Sequence, residues 1–251
     1  MLTSERKALI LKTVRRDGRL VAKEFSRQLG LSEDTIRRDL REMAGEGLLQ
    51  RVHGGALPAS PATAEYGVRQ TIETDAKARL GAAAARLVRP GQVVFLDGGT
   101  TNVQLARQLP PDLEATVVTH SPSVAVELAR HPRIEVELIG GRLFKHSVVA
   151  MGAACIETLG RIRADLFVMG ATGVHAQAGA STGQAEEAAL KRFIVRQSAE
   201  TIVLATRDKL GAASPFGIVP LAEISSIIVE RDLPDLLLAP LRKAGPEIVV
   251  A

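Results

Sequence analysis

The chain has no tryptophan, one tyrosine and one cysteine, and aromatic residues make up 3% of its 251 positions. So few rings cannot build a surface that holds single-stranded nucleic acid by stacking bases. The single cysteine, Cys155, excludes an intramolecular disulfide framework and suits a reducing compartment; its expected role is that of a small buried apolar residue. No stretch approaches the ~20 consecutive apolar residues of a membrane span. The charged start (Glu5, Arg6, Lys7) lacks the apolar segment of a signal peptide, so a cytoplasmic protein is expected. There is no internal repeat, and the only compositional bias is the alanine run Ala82–Ala85. Hydrophobic residues at 46% suffice for a proper core, and the length suits a small module plus one larger domain.

What is present begins with SEDTIRRDLREMAGEGLLQRVHGGA, Ser32 to Ala56. Ser32 can cap a helix, Glu33 and Asp34 suit the positive end of its dipole, and Gly45 and Gly47 stop the run. Ile36, Leu40 and Met43 form a buried stripe at i, i+4 and i+7. At about 100° per residue, Arg38 and Arg41 face the other way, with Thr35 and Arg37 at the margins. Upstream, Val21, Phe25 and Leu29 share one face of a preceding helix, joined through Gly30-Leu31. A first helix, capped by Thr3 or Ser4, presents Ile10, Leu11 and Val14. This is a helix-turn-helix pattern, whose second helix enters the major groove of duplex DNA. Leu48 to Val52 can add a wing strand, with Gly54-Gly55 as its turn. His53 suits either a phosphate contact or a turn cap.

A basic face on one amphipathic helix can simply be solvated, but the charge distribution favours a docking face. Residues 1–58 hold 12 Lys plus Arg and 8 Asp plus Glu, a net +4, while the 20 basic and 20 acidic residues that remain cancel. All the excess positive charge therefore lies in the N-terminal module, as expected for docking on phosphates through one end.

The run Thr35 to Leu40 (TIRRDL), its spacing to Gly47-Leu48-Leu49, and Arg51 to Ala56 (RVHGGA) resemble the winged helix-turn-helix of the DeoR family of bacterial transcriptional regulators. The resemblance implies a helix-turn-helix over Leu20 to Asp39. It makes Ser32, Thr35, Arg37, Arg38, Arg41 and His53 the candidate DNA contacts. Whether an arginine reads guanine or grips phosphate stays open at this level.

Leu57 to Thr63 (LPASPAT) has no apolar period and reads as a linker; the expected domains are 3–58, a linker over 59–72, and 73–251. A helix is predicted from Glu73 to Val88, burying Ala76, Leu80, Ala83 and Leu87, with Gly81 weakening it. Short apolar runs then alternate with helical segments: Val93–Leu96, Thr116–Thr119, Ile134–Ile139, Leu166–Met169, Thr201–Leu204 and Ile227–Val229 read as strands. Such alternation predicts an α/β domain with a mainly parallel sheet covered on both faces, and a ligand where strands end and helices begin.

At the first such junction stand Asp97, Gly98, Gly99, Thr100 and Thr101. Glycines that admit an anion, hydroxyl donors and a free helix N-terminus are chemistry for holding a phosphate, although a structural turn has the same composition. Glu187 and Lys191 stand at i, i+4, which by default is a surface pair. The domain also resembles the DeoR sensor domain, itself similar to ribose-phosphate isomerase and CoA transferase folds. The matching elements are Arg69 and Lys77, the Asp97–Thr101 loop, Gly140-Gly141, Gly170 with Gly173, Glu187 with Lys191, and Lys209-Leu210-Gly211.

That resemblance implies a phosphorylated sugar or related effector held by Asp97, Gly98, Gly99, Thr100, Thr101, His120, Gly141, Gly173, Glu187, Lys191 and Lys209. Lys191 and Lys209 would be cationic partners and Glu187 a hydroxyl acceptor. His120 and Ala205-Thr206 depart from the family pattern at positions expected to line the pocket. The implied protein is a repressor of carbohydrate genes, a homodimer or homotetramer on operator DNA, with no catalytic residue, metal or cofactor. The alternative is a sugar-phosphate isomerase or CoA-transferase-like enzyme with a DNA-binding appendage, for which Asp97, Glu187 and Lys191 are suitable residue types.

Overall fold

The computed structural model describes residues 2–60 and 64–251. In the N-terminal module, α1 (Thr3–Asp17) is followed by β1 (Leu20–Val21), α2 (Ala22–Leu29) and α3 (Glu33–Gly45). Neither Thr3 nor Ser4 caps α1, because both are already helical; the Glu5 carboxylate accepts the Leu2 N–H at 2.9 Å instead. Ser32 does cap α3, its hydroxyl accepting from the Thr35 N–H at 3.2 Å. Ile10, Val14, Phe25, Ile36, Leu40 and Met43 are buried together, while Leu11 and Leu29 lie partly buried at the rim of this core. The wing is an antiparallel pair, β2 (Leu49–Val52) and β3 (Gly55–Pro58), and β1 joins it on the far edge of β3. The turn is His53-Gly54, with Gly54 at φ 78°. Gly55 is a strand residue, and a Cβ there would lie 1.8 Å from the Leu20 carbonyl oxygen, so no side chain fits.

In the expected linker, Leu57 and Pro58 belong to β3 and residues 66–71 form α4 (Tyr66–Thr71). Pro61, Ala62 and Thr63 lie outside the described residues.

The larger domain continues with α5 (Thr74–Ala85), β4 (Val93–Leu96), α6 (Thr100–Arg107), β5 (Ala115–Thr119), α7 (Pro122–Leu128) and β6 (Ile134–Leu138). The hairpin β7 (Arg142–Phe144) and β8 (Val149–Met151) then leads to α8 (Ala153–Leu159) and β9 (Ala164–Met169). After these come β10 (Gly173–His175), β11 (Gly179–Thr182), α9 (Ala185–Gln197), β12 (Ser198–Ala205) and β13 (Phe216–Val219). The described chain closes with β14 (Ser226–Val229), α10 (Asp235–Lys243) and β15 (Glu247–Val250).

Seven strands form the parallel sheet in the order β15-β14-β12-β9-β4-β5-β6. Side chains of alternating strand positions enter two separate cores: Phe95, Phe167, Met169 and Val203 on one face, and Val94, Leu96, Val168 and Ile202 on the other. Burial on both faces explains the continuous apolar runs. From β4 the chain moves outward to β5 and β6, then returns to the other side of β4 with β9. The β4/β9 boundary is therefore the switch point, outside whose carboxyl ends ligands bind in open α/β sheets.

Two sequence expectations need correction. The helix predicted to Val88 stops at Ala85, and Leu87 is 38% exposed while Val88 takes the buried place. Gly81 is an asset rather than a weakness: a Cβ there would lie 2.7 Å from the Leu105 backbone nitrogen, so glycine lets α5 and α6 touch backbone to backbone.

Candidate functional site

On the DNA module, Ser32, Arg37, Arg38 and Arg41 are exposed and Thr35 is half-buried. Arg37 pairs with Glu33 across one turn at 2.7 Å; among the described residues no carboxylate lies within ion-pair distance of Arg38 or Arg41. Glu42 of α3 and Glu46 at its C-cap are instead held by Lys7 of α1, at 3.0 and 3.5 Å. Beneath, Arg6 and Asp39 form a bidentate ion pair, with Nη2 to Oδ1 at 3.0 Å and Nε on Oδ2. Both members are buried, at 7% and 1% side-chain exposure. It ties α1 to the arginine-bearing helix, and sequence spacing gave no sign of it. The exposed His53 ring makes no hydrogen bond among the described residues, so it does not cap the turn.

In the larger domain a cavity of about 550 Å³ opens at the β4/β9 switch point, well within the ~300–1,000 Å³ of small-molecule sites. Gly98, Gly99, Thr100 and Thr101 from the β4–α6 turn line it, with Gly170 to Thr172 after β9. Gly99, at φ 122°, starts α6 without a side-chain cap among the described residues, leaving its first amides available. The uncapped start of α9 reaches the same cavity through Gly183 and Gln184. Two helix N-termini thus converge on one space, and each favours negative charge.

Arg69 from α4, Lys77 from α5 and Lys209 after β12 add positive charge to the wall. Burial pushes all three below their ordinary values, and Lys209, also crowded by Arg69, Lys77 and Lys191, falls to about 8. Among the described residues none of the three has a carboxylate within ion-pair distance. Lys77 donates to the Arg69 and Ile72 carbonyls, Arg69 donates to the His146 carbonyl at 3.2 Å, and the buried Arg69 Nε has no hydrogen-bond partner among the described residues.

Lys191 differs. It lines the cavity at 3% exposure, but its three protons are taken by the Gly170 carbonyl at 2.7 Å, Glu187 Oε1 at 2.8 Å and Asp97 Oδ2 at 3.0 Å. The expected free cationic partner is therefore committed to the protein, and the Glu187–Lys191 pair is not a surface pair. Glu187 receives the Thr182 hydroxyl on its other oxygen at 2.8 Å and keeps lone pairs toward the cavity.

Asp97 and His120 do not line the cavity; they form its floor, at 1% and 0% exposure. Asp97 accepts from the Gly98 N–H at 2.7 Å, the Gly170 N–H at 2.8 Å and His120 Nε2 at 2.8 Å. His120 Nδ1 faces the Ala150 carbonyl at 2.7 Å. Two acceptors flank the ring, so the imidazolium is the form that satisfies both. Burial would lower His120, but the Asp97 hydrogen bond and charge and the Ala150 carbonyl outweigh it, holding the ring at about 9. Burial would likewise raise Asp97, and Lys191 and His120 together hold it at about 2.

Gly141 and Gly173 also stand outside the cavity. A Cβ on Gly141 would meet the Met151 carbonyl at 2.7 Å, and one on Gly173 the Ala212 carbonyl at 2.6 Å, so both are sites of close backbone approach. Of the departing pair Ala205-Thr206, Thr206 lines the cavity and Ala205 is core. Sequence reasoning left out Thr172, Ser214 and Asn102, the last of which donates from one amide nitrogen to the Asp97 and Val168 carbonyls at 3.0 Å each, clamping β4 to β9. Nothing in the local pattern marks them.

Residues 6–62 match the DeoR-like helix-turn-helix domain, and residues 72–231 match the DeoR C terminal sensor domain. The chain belongs to the DeoR family. It is similar to the HTH-type transcriptional regulator GlpR of Haloferax volcanii, 36% identical over 93% of this chain and 92% of that protein. The HTH-type transcriptional repressor GlcR of Bacillus subtilis is 30% identical over 92% of this chain and 90% of its own length. The glycerol-3-phosphate regulon repressor of Escherichia coli K12 is 26% identical over 93% of each. Ribose 5-phosphate isomerase A of Methanocaldococcus jannaschii aligns over 54% of each chain at 17% identity and TM-score 0.40, a distant likeness only. The DeoR-family chain is thus a DNA-binding transcriptional regulator with a small-molecule sensor domain, and not an isomerase or transferase. No helix among its described residues is long and apolar enough to cross a membrane.

Proposed function

We propose that this regulator represses carbohydrate genes and leaves its operator when a phosphorylated sugar or related metabolite fills the cavity. The observation that carries the reading is the meeting of two uncapped helix N-termini with Arg69, Lys77 and Lys209, three cations without carboxylate partners among the described residues. The phosphate would sit on the Gly99–Thr101 amides and the Thr100 and Thr101 hydroxyls, beside Arg69 Nε and Lys209, with Glu187 accepting a sugar hydroxyl. Lys191, Asp97 and His120 position this wall rather than touch the ligand. The name of one relative, the glycerol-3-phosphate regulon repressor of Escherichia coli, agrees with a phosphorylated effector. The protein acts in the cytoplasm as a homodimer or homotetramer, since two linked copies on two half-sites multiply affinity.

A thermal-shift panel of glycerol 3-phosphate, glucose 6-phosphate and fructose 1-phosphate, each beside its unphosphorylated parent, tests the effector. At ~100 times Kd the native state gains about 2.7 kcal/mol, and Tm should rise by roughly 5–10 °C. Arg69→Gln with Lys209→Ala should abolish that rise. Equal shifts with phosphorylated and parent compounds would exclude the phosphate reading.

At the other end, Ser32, Thr35, Arg37, Arg38, Arg41 and His53 are proposed to face operator DNA. Arg38→Ala with Arg41→Ala should weaken binding to a duplex selected from a random pool by about 10- to 100-fold. If both grip phosphate, the salt slope should fall by about 2. Unchanged affinity and slope would remove these arginines from the interface.

A further inference from the structure

The wing strand does not stop at Pro58. Ala59 forms a parallel bridge with Ala213 of the sensor domain. The Ala213 N–H donates to the Pro58 carbonyl at 3.0 Å, and the Ser60 N–H donates to the Ala213 carbonyl at 3.1 Å. The Ser60 hydroxyl donates to the Thr172 carbonyl. Thus β3, whose other end packs on the DNA module, is clipped to two sensor segments, 172–173 and 212–214. Gly173 makes the clip possible, because a Cβ there would also lie 3.0 Å from Ala213 Cα.

The same two segments wall the effector cavity. Thr172 and Ser214 line it, with their hydroxyl oxygens 2.7 Å apart. The Thr172 hydroxyl donates to the Ser181 carbonyl at 3.1 Å, so its one proton is used and Ser214 must be the donor within the pair. The Ser214 N–H in turn donates to the Ser181 hydroxyl at 2.9 Å. On the adjacent hairpin the His175 ring takes the Gln177 and Ala178 amides on Nδ1, at 3.1 and 3.2 Å.

We infer that the Ser60–Thr172 and Ala213 bonds form a clip between wing and sensor, and that the Thr172–Ser214 hydroxyl pair makes this clip respond to what occupies the cavity. The inference rests on the effector reading above for what enters. A ligand oxygen that captures the Ser214 proton leaves the Thr172 oxygen without its donor, and the strand pair that carries Ser60 shifts. The clipped form is the one that holds DNA. Occupancy therefore changes operator affinity only through the difference between the clipped and shifted states.

The test needs no effector. Full-length protein, Ser60→Ala, Ser214→Ala and the double variant are titrated against the same selected duplex. Loss of one hydrogen bond in the clip should weaken binding by about fivefold. Because the two sites act in series, the double variant should be no more than about twofold weaker than Ser60→Ala alone, while Ser60→Thr restores binding. Hydrogen exchange of Ser214→Ala, which leaves the linker sequence intact, should show Gly55–Ser60 amides exchanging at least about threefold faster. Unchanged affinity in Ser60→Ala, multiplicative losses in the double variant, or unchanged exchange would each overturn the clip. A silent sugar-phosphate panel would overturn the effector reading and leave these results standing.

Discussion

Asp97→Ala should cost the sensor domain about 3–5 kcal/mol, since it leaves the buried His120 imidazolium without its counter-ion. Asp97 is the common acceptor for His120, Lys191 and two backbone amides, at 2.7–3.0 Å. Without it, the His120 imidazolium at 0% exposure has no counter-ion, and the buried Lys191 ammonium keeps only Glu187 as counter-ion. Urea denaturation followed by circular dichroism, needed because there is no tryptophan, should show the sensor transition falling sharply. The pH profile carries the same signature. His120, raised from 6.5 to about 9, contributes stability that is complete below pH 6.5 and lost as pH rises through 9. Asp97, depressed from 3.8 to about 2, contributes stability that is complete above pH 3.8 and lost as pH falls through 2. Between those limits the unaltered protein should hold a plateau near pH 4–6.5, then lose about 3 kcal/mol by pH 10 from His120 alone. Asp97→Asn should erase that alkaline loss, because the ring no longer gains a charged partner. A variant with the original midpoint, or one with the same alkaline slope, would show that the floor is not an ionic cluster.

How much of this was legible in the sequence depended on whether a residue's role is local. The Ile36, Leu40, Met43 stripe and the Ser32 cap follow from helix periodicity and from bonds made within one turn, and they appear where expected. The parallel strands were legible because burial on both faces leaves continuous apolar runs such as Val93–Leu96 and Leu166–Met169. The hairpins β7–β8 and β10–β11 were not: β7 and β8 are three residues each, too short for a period, and Gly179–Thr182 carries no apolar alternation to read. The site divides in the same way. The Gly98–Thr101 turn announced itself as glycines and hydroxyls between a strand and a helix. The commitment of Lys191 was invisible, because its i, i+4 partner Glu187 is only one of three acceptors, and Asp97 and Gly170 come from other strands. His120 was expected at the pocket wall, yet it lies under it, because only the fold sets the Ala150 carbonyl against its second nitrogen.

Asp39→Ala should abolish duplex binding although Asp39 faces away from solvent at 1% exposure. Its carboxylate meets Arg6 with both oxygens, and Arg6 is itself buried, so truncation strands a guanidinium inside a module of fewer than sixty residues. Breaking such a pair costs about 3–5 kcal/mol, comparable to the whole stability of a small domain. The sensor domain, with its own two cores, should melt as before, giving a protein with an intact sensor domain that no longer binds the duplex. A surface role for Asp39 would instead leave duplex affinity within about threefold of the original, since exposed ion pairs contribute about 0–1 kcal/mol. The decisive comparison is Arg6→Met with Asp39→Leu. Two apolar side chains of similar volume need no counter-charge, and such replacements are commonly neutral or stabilising by about 1–4 kcal/mol. The double variant should therefore recover folding and most of the duplex affinity that Asp39→Ala loses, because Arg37, Arg38 and Arg41 remain on the outer face of a restored α3. Recovery of folding without recovery of binding would assign Arg6 a direct role at the DNA surface, which its 6% exposure argues against.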